Sequence, residues 1–92
     1  MSEKYGKIVQ VIGPVVDVMF DGDDNIIPPI YTALKVVRPD GSELILEVEQ
    51  HIGEKTVRCV AMESTDGLQR GARVDNLERP IAGPTLSLIH IS

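Results

Sequence analysis

The stretch from Gly6 to Phe20 limits the possible folds of this chain more than any other part of the sequence. Most of its residues are β-branched or otherwise apolar, and none caps or favours a helix. Gly13-Pro14 interrupts the run, so the pattern predicts two β-strands joined at this turn. In the second strand Val16 and Val18 share one face with Phe20 by the two-residue period, and Asp17 points the other way.

The first of these two strands is apolar on both faces. By the same period, Ile8 and Ile12 lie on one face and Val9 and Val11 on the other. A strand of this kind needs cover on both sides, as in a closed barrel or under a neighbouring subunit. An outer apolar face formed by Val9 and Val11 suits a subunit interface, so these are the predicted interface residues.

The rest of the chain alternates short apolar runs with turn signals. The residues from Asp21 to Asn25 are typical of a turn. The segment from Ile26 to Tyr31 contains two prolines, which cannot donate hydrogen bonds to a neighbouring strand, so it is predicted to be a crossing loop or a sheet edge. Gly41 is expected to take a positive φ in the turn at 38–42. The further predicted elements are strands at Ala33–Val37, Glu43–Glu49, Thr56–Met62 and Ala72–Leu77, and a tight or single helical turn at Ser64–Gly71. Six short strands without an amphipathic helix predict an all-β fold, a small closed six-stranded antiparallel β-barrel.

The strands Glu43–Glu49 and Thr56–Met62 can be aligned with each other. Leu44, Leu46 and Val48 are expected to face inward, with the glutamates outward. A two-residue loop at Gly53-Glu54 would place apolar residues opposite one another on the inner face. The outer face would then carry an ion pair, and a one-residue slip would destroy both features. The predicted pairs are Val48 with Cys59, Leu46 with Ala61, Glu47 with Val60, and Glu49 with Arg58.

Composition restricts the possible functions. The 92 residues allow one small domain, and a net charge of −5 disfavours nucleic acid as a partner. One cysteine, Cys59, permits no internal disulfide. The N-terminus has no signal-peptide pattern, and no run approaches the ~20 apolar residues of a membrane helix. We therefore expect a soluble intracellular domain without membrane insertion.

No residue pattern predicts a metal site. Asp21, Asp23 and Asn25 resemble the start of a calcium loop, but Ile26 stands where the loop needs glycine and Thr32 where it needs glutamate. An acidic solvated turn is the favoured interpretation. His51 lies at a hairpin end without a second histidine at ligand spacing, so a surface polar role is expected.

No residue pattern predicts catalysis either. Cys59 falls on the inward face, where a small buried residue is the default and a reactive thiol is disfavoured. Glu43, Glu47 and Glu49 share one exposed strand face, so we interpret them as solvated charges rather than catalytic carboxylates. Gly83-Pro84-Thr85 lacks the lysine and the preceding glycine of a phosphate loop. We expect no catalytic, cofactor-binding or metal-binding residues.

The sequence resembles the start of the β subunits of rotary F-type ATP synthases. The resemblance covers about residues 4–81 in collinear blocks with matching gaps, and the Val-Val-Asp-Val-x-Phe form at Val15–Phe20 favours β over the sister α subunit. The matching blocks are Gly6–Phe20, Ile30–Leu34, Leu46–Gly53, Val57–Met62, Ser64–Gly71 and Arg79–Ile81.

The resemblance implies a six-stranded N-terminal barrel in a crown of alternating α and β barrels. Sister α subunits are the implied partners. Bound ATP or ADP with Mg²⁺ would belong to later domains, so none is expected in this chain. The implied location is a peripheral complex on the cytoplasmic side of a bacterial inner membrane. The expected organisation is a flexible tail at 1–5, the barrel at 6–81 and a non-family tail at 82–92.

The last seven residues, Leu86–Ser92, depart from the family pattern. They match the translation of a sequencing adapter in one frame, so we favour an artefact over a genuine short apolar tail or the start of a linker, and we do not assign them to the fold. Two other functions remain open on the residues alone. One is a free-standing binding module for a protein or an oligonucleotide, which in the nucleic-acid case needs a basic face and stacking aromatics. The other is an enzyme with an unrecognised site in a deep pocket.

Overall fold

The computed structural model describes residues 5–20 and 27–80, and they form six β-strands. In chain order these are β1 (Tyr5–Ile12), β2 (Val15–Met19), β3 (Thr32–Val37), β4 (Glu43–His51), β5 (Thr56–Ala61) and β6 (Arg73–Pro80). All neighbours pair antiparallel in the order β1-β2-β5-β4-β3-β6, and β6 pairs with β1 to close the barrel. The predicted all-β closed six-stranded antiparallel barrel is confirmed, with no helix in the described part of the chain.

The barrel interior is filled by aliphatic side chains and one phenylalanine. Every strand contributes inward residues at alternate positions, as the two-residue period requires. The predicted inward positions of β2 and β4 are confirmed. The fully buried residues of the core include Ile8, Val16, Val18, Phe20, Leu34, Val36, Leu44, Leu46, Val48, Val57, Cys59 and Val74.

The turn between β3 and β4 has the predicted conformation. Gly41 adopts φ 92°, and the Ser42 amide donates a hydrogen bond of 2.9 Å to the Asp40 carboxylate. Hydrogen bonds from Ser42 lower the pKa of Asp40. Arg38 fixes this turn to the segment Ser64–Gly71 by donating to the Ser64 carbonyl at 2.5 Å. Ser64–Gly71 contains tight turns and no helical turn.

Several strand ends differ from the prediction. β1 begins at Tyr5, within the predicted tail, because Tyr5 pairs with Asp75 on β6. β6 continues to Pro80, which pairs with Thr32 beyond a register shift between Thr32 and Leu34, and prolines within sheets occur at such irregularities. β4 continues to His51, and β5 ends one residue early. The predicted turn at 21–25, the tail at 82–92 and the other residues of the predicted N-terminal tail lie outside the described residues.

A β-bulge at Glu49 changes one end of the β4–β5 register. The predicted pairs of Leu46, Glu47 and Val48 are confirmed, but the register shifts between Val48 and Gln50. Arg58 therefore faces Gln50, and the predicted Glu49–Arg58 pair is wrong. The loop that follows is one residue longer than predicted, with the Ile52 amide bonded to the Thr56 carbonyl at 3.0 Å. The bulge absorbs this extra residue and keeps the apolar residues inside.

A second bulge, at Val9, turns the side chains that follow it on β1 to the opposite side from the one that alternation predicts. Ile8 is 1% exposed whereas Ile12 is 59% exposed, so our prediction that they share a face is wrong. After the bulge Val11 turns inward and packs against the core. Simple alternation fails here because a bulge inserts one unpaired residue and shifts the phase of all residues beyond it.

Candidate functional site

A polar ladder crosses four adjacent strands on the outer wall of the barrel. The register places Gln10, Asp17, Arg58 and Gln50 side by side on β1, β2, β5 and β4. Asp17 is only 4% exposed although it points outward. Its carboxylate accepts hydrogen bonds from Arg58 at 3.0 and 3.2 Å and from Gln10 at 3.2 Å. The hydrogen bond with Asp17 and the negative charge of Asp17 raise the pKa of the Arg58 guanidinium.

The ladder joins strands that are distant in sequence. A buried carboxylate without these donors would be strongly destabilising, so the ladder favours this register over others. Sequence reasoning placed Asp17 outward, which is correct, but missed its partner. Arg58 could be identified only from the pairing of β2 with β5, which are not consecutive in the chain.

Beside the ladder, the outer wall carries an apolar strip. Val15 lies between Ile12 on β1 and Val60 on β5. Met62 follows on the same side of the chain as Val60, and its amide donates to the Ile45 carbonyl of β4 at 2.9 Å. Ile12 and Met62 are 59% and 45% exposed. We call these five residues the apolar strip, and exposed apolar residues that are contiguous mark contact surfaces.

The acidic face lies on β4 next to the apolar strip. It consists of Glu43, Glu47 and Glu49, of which Glu47 is half-buried and the other two are exposed. A hydrogen bond with Glu49, burial and the charge of Glu49 raise the pKa of Glu47 to about 6. The expectation of a solvated charged face holds for Glu43 and Glu49, while Glu47 is partly desolvated.

A basic face lies on β1 and β6, which are three and two strands away from β4 around the barrel. Lys7 on β1 is exposed and faces Arg73 on β6. The Arg73 guanidinium lies 4.4 Å from the centroid of the Tyr5 ring and bonds to Asp75 at 2.8 Å. Tyr5, Lys7 and Arg73 are the residues that we call the basic face.

A cleft of about 520 Å³ lies where β6 ends and the chain enters β3. Tyr31 and Glu78, two of its lining residues, adopt the left-handed φ values of 74° and 60°. The Glu78 amide is bonded to the Asn76 side chain at 2.8 Å. The segment before β3 is a loop, as predicted for the proline pair, and the Tyr31 amide donates to the Val48 carbonyl at 2.6 Å. No paired acid and base of the catalytic kind line this cleft among the described residues.

The remaining candidate residues have structural surroundings. Cys59 is buried, and burial together with the charges of Asp17 and Glu49 raises the pKa of its thiol to about 12, far from reactive. His51 ends β4 at the surface, and its Nε2 lies 2.7 Å from the Pro28 carbonyl oxygen. The calcium-loop candidates at 21–25 lie outside the described residues.

Residues 5–20 and 27–80 contain neither a cluster of metal ligands nor a membrane-spanning helix. No group of three or more histidine, cysteine, aspartate or glutamate side chains is placed to hold a metal ion there. No helix in those ranges is long and apolar enough to span a membrane.

The predicted interface residues Val9 and Val11 have different environments. Val9 is the half-buried bulge residue, and Val11 packs against the core. The exposed apolar residue at this end of β1 is Ile12. Contact of Val9 and Val11 with a neighbouring subunit stays a prediction, and sequence reasoning missed Ile12 because the bulge is not visible in the residue pattern.

A protein-family model matches most of the chain. Residues 8–78 match the model described as ATP synthase alpha/beta family, beta-barrel domain. The matched range begins inside β1 and ends inside β6, so it includes the four intervening strands whole. The chain therefore belongs to the ATP synthase alpha/beta family, and residues 8–78 are its β-barrel domain.

Proposed function

We propose that this chain is the N-terminal crown domain of the catalytic β subunit of an F-type ATP synthase. In this role the barrel would organise a ring of alternating α and β subunits and contribute no bond-making chemistry. The observation that carries the proposal is the family match over residues 8–78, which coincides with the closed barrel. The Val-Val-Asp-Val-x-Phe form at Val15–Phe20 supports β rather than α.

The outer wall supports a role in contacts rather than in catalysis. The apolar strip and the two charged faces lie on the outside, while the interior is packed solid with aliphatic side chains. A rigid barrel with such a wall can hold neighbouring subunits at one end while other domains move. The proposed partners are sister α subunits, within a peripheral complex on the cytoplasmic side of a bacterial membrane. ATP or ADP with Mg²⁺ would bind to other domains of the parent protein.

A pair of grafts tests the subunit assignment. Residues 1–81 replace the barrel of a host F-type β subunit in one variant and that of the host α subunit in the other. We expect the β graft to assemble into a hexamer with Mg²⁺-dependent ATPase activity, and the α graft to assemble poorly. A host β subunit without its barrel is the control. Assembly of the α graft alone would contradict the β assignment, and failure of both would contradict the crown role.

The isolated chain tests the claim that the barrel has no chemistry of its own. We expect no heat of binding when ATP and Mg²⁺ are titrated into the chain, and no release of phosphate above the buffer rate. Phosphate release by a preparation free of contaminating ATPases would favour the enzyme alternative.

A further inference from the structure

The cleft of about 520 Å³ lies outside the barrel core, where the end of β6 meets the loop at 28–31. Small-molecule sites in proteins have volumes of about 300–1,000 Å³ and are mostly apolar, with a few polar groups that orient the ligand. One wall of the cleft is the loop together with the first residue of β3, and the other wall is the last part of β6. None of the lining residues belongs to the core cluster or to the apolar strip, so the cleft is a separate feature of the surface.

An irregular pairing of β3 with β6 shapes the wall of the cleft on β6. Thr32 pairs with Pro80 and Leu34 pairs with Asn76, so β6 has three residues between these pairs where β3 has one. Glu78, in the middle of the three, adopts the left-handed φ of 60°, and its amide donates to the Asn76 side chain at 2.8 Å. Bulges of this kind redirect side chains and are frequent next to functional sites.

The opposite wall is held in place by hydrogen bonds to β4. The Tyr31 amide donates to the Val48 carbonyl at 2.6 Å, and Nε2 of His51 lies 2.7 Å from the Pro28 carbonyl oxygen. Tyr31 adopts φ 74°, a conformation that is uncommon outside glycine and that clusters at ligand sites. A cleft whose walls are fixed before the ligand arrives loses little conformational entropy on binding.

The lining combines an apolar aromatic surface with one cation. Tyr31 and Ile30 are 61% and 46% exposed, which leaves the Tyr31 ring accessible to a planar ligand. Arg79 is exposed and has no hydrogen bond or ion pair within the described part of the chain. A guanidinium with free donors can bind a carboxylate through two parallel hydrogen bonds. Glu78 lines the same cleft, so a ligand with several negative charges would be repelled.

We propose that this cleft binds an aromatic acid with a single carboxylate group. The ligand ring packs against Tyr31 and Ile30, and its carboxylate bonds to the Arg79 guanidinium. A free small acid and the C-terminal residue of a peptide both present this chemistry. One cation beside one carboxylate selects a monoanion over a nucleotide, which agrees with our expectation that the isolated chain does not bind ATP. The inference uses no residue of the apolar strip and does not depend on the β assignment.

Titration of the full chain with cinnamate, followed by amide NMR, tests the proposal. We expect saturable shifts of the Tyr31 and Glu78 amide resonances with a Kd of about 1 mM or tighter, while the buried Val18 amide keeps its position. Cinnamamide has the same shape without the charge and should bind about tenfold more weakly, because it loses the ionic hydrogen bonds. A short acetylated peptide of glycines ending in phenylalanine is the second acid, and the tighter of the two acids identifies the source of the ligand.

Two arginine variants identify the cation. Arg79→Gln should weaken the binding of cinnamate about tenfold and leave that of cinnamamide unchanged. Arg70→Gln is the matched control, because it makes the same change in net charge at an exposed arginine outside the cleft and should bind cinnamate as the wild type does. Both arginines are exposed, so we expect the circular dichroism melting curves to match the wild type.

The ring contact is tested by Tyr31→Leu, which keeps an apolar side chain at this backbone position and should weaken the binding of cinnamate and cinnamamide alike. The absence of saturable binding by either acid would overturn the proposal. Equal binding of cinnamate and cinnamamide, or a loss in Arg79→Gln no larger than that in Arg70→Gln, would also overturn it. None of these results bears on the grafts, so the two proposals fail separately.

Discussion

Replacing Gly6 with alanine should destabilise the barrel at the point where it closes. A Cβ at this position would lie 2.8 Å from both the Met19 carbonyl oxygen and Cγ1 of Val18, and 3.1 Å from the Phe20 ring. The first of these atoms is backbone, so β1 must move away from β2. Gly6 also pairs with Val74, so the movement would loosen the contact of β1 with β6.

Two opposing effects set the size of the change. Overpacking a tight site lowers the free energy of unfolding by about 1–3 kcal/mol. Alanine also restricts the unfolded chain, which raises the free energy of unfolding by about 0.4–1 kcal/mol. With mid-range values of about 2 and about 0.7 kcal/mol for these two effects, the expected net loss is about 1–2 kcal/mol of unfolding free energy. For a domain of this size the Tm should fall by about 4–16 °C.

Urea denaturation followed by circular dichroism measures this loss, and Gly53→Ala is the matched control. Gly53 does not have a positive φ, and a Cβ there would meet nothing closer than the Thr56 Cβ at 3.8 Å. The control changes the unfolded chain in the same way without a clash, so its stability should be unchanged or higher by up to about 1 kcal/mol. A Gly6→Ala protein as stable as the wild type would refute the close approach of β1 and β2.

Three further predictions concern the core, the acidic face and the buried thiol. Leu46→Ala should cost about 2–5 kcal/mol of unfolding free energy in urea denaturation, whereas Ile45→Ala on the outer wall should cost far less; equal losses would contradict the inward and outward assignment. Because the pKa of Glu47 is raised to about 6, stability should fall as the pH rises from about 4.5 to 7. After solvent screening, the change in unfolding free energy over this pH range should be about 1 kcal/mol, and Glu47→Gln should remove most of it. An unchanged pH dependence in the Glu47→Gln protein would exclude Glu47 as its source. Cys59 should react with a thiol reagent such as DTNB only after unfolding, and rapid labelling of the native chain at pH 8 would contradict its burial.

The existence of the six strands and their approximate positions along the chain could be predicted from the sequence because they depend on local signals. Alternation in β4 and the turn residues at 38–42 identify a hairpin without knowledge of the rest of the fold. Closure of the barrel followed from the number of strands and the two-sided apolar character of β1. These features need no information about distant pairing.

The bulges and the polar ladder could not be predicted in the same way. The extra residues at Val9 and Glu49 are accommodated by strand pairing and loop length, and no residue type marks them. The Asp17–Arg58 pair depends on the contact of β2 with β5, and the strand order becomes known only when the barrel is assembled. The exposed residue Ile12, and with it the apolar strip, was missed for the same reason.

In the proposed role, the outer wall of the barrel, and not its interior, contacts a sister subunit. Methyl NMR of the labelled chain, with and without an unlabelled F-type α subunit, tests it most directly. We expect the resonances of the outward methyls of Ile12, Ile45 and Val60 to shift or broaden, while those of the inward methyls of Leu46 and Val57 keep their positions. Unchanged resonances of the outward methyls at a saturating concentration of α subunit would contradict a contact through the outer wall. Equal changes in the resonances of inward and outward methyls would also contradict it.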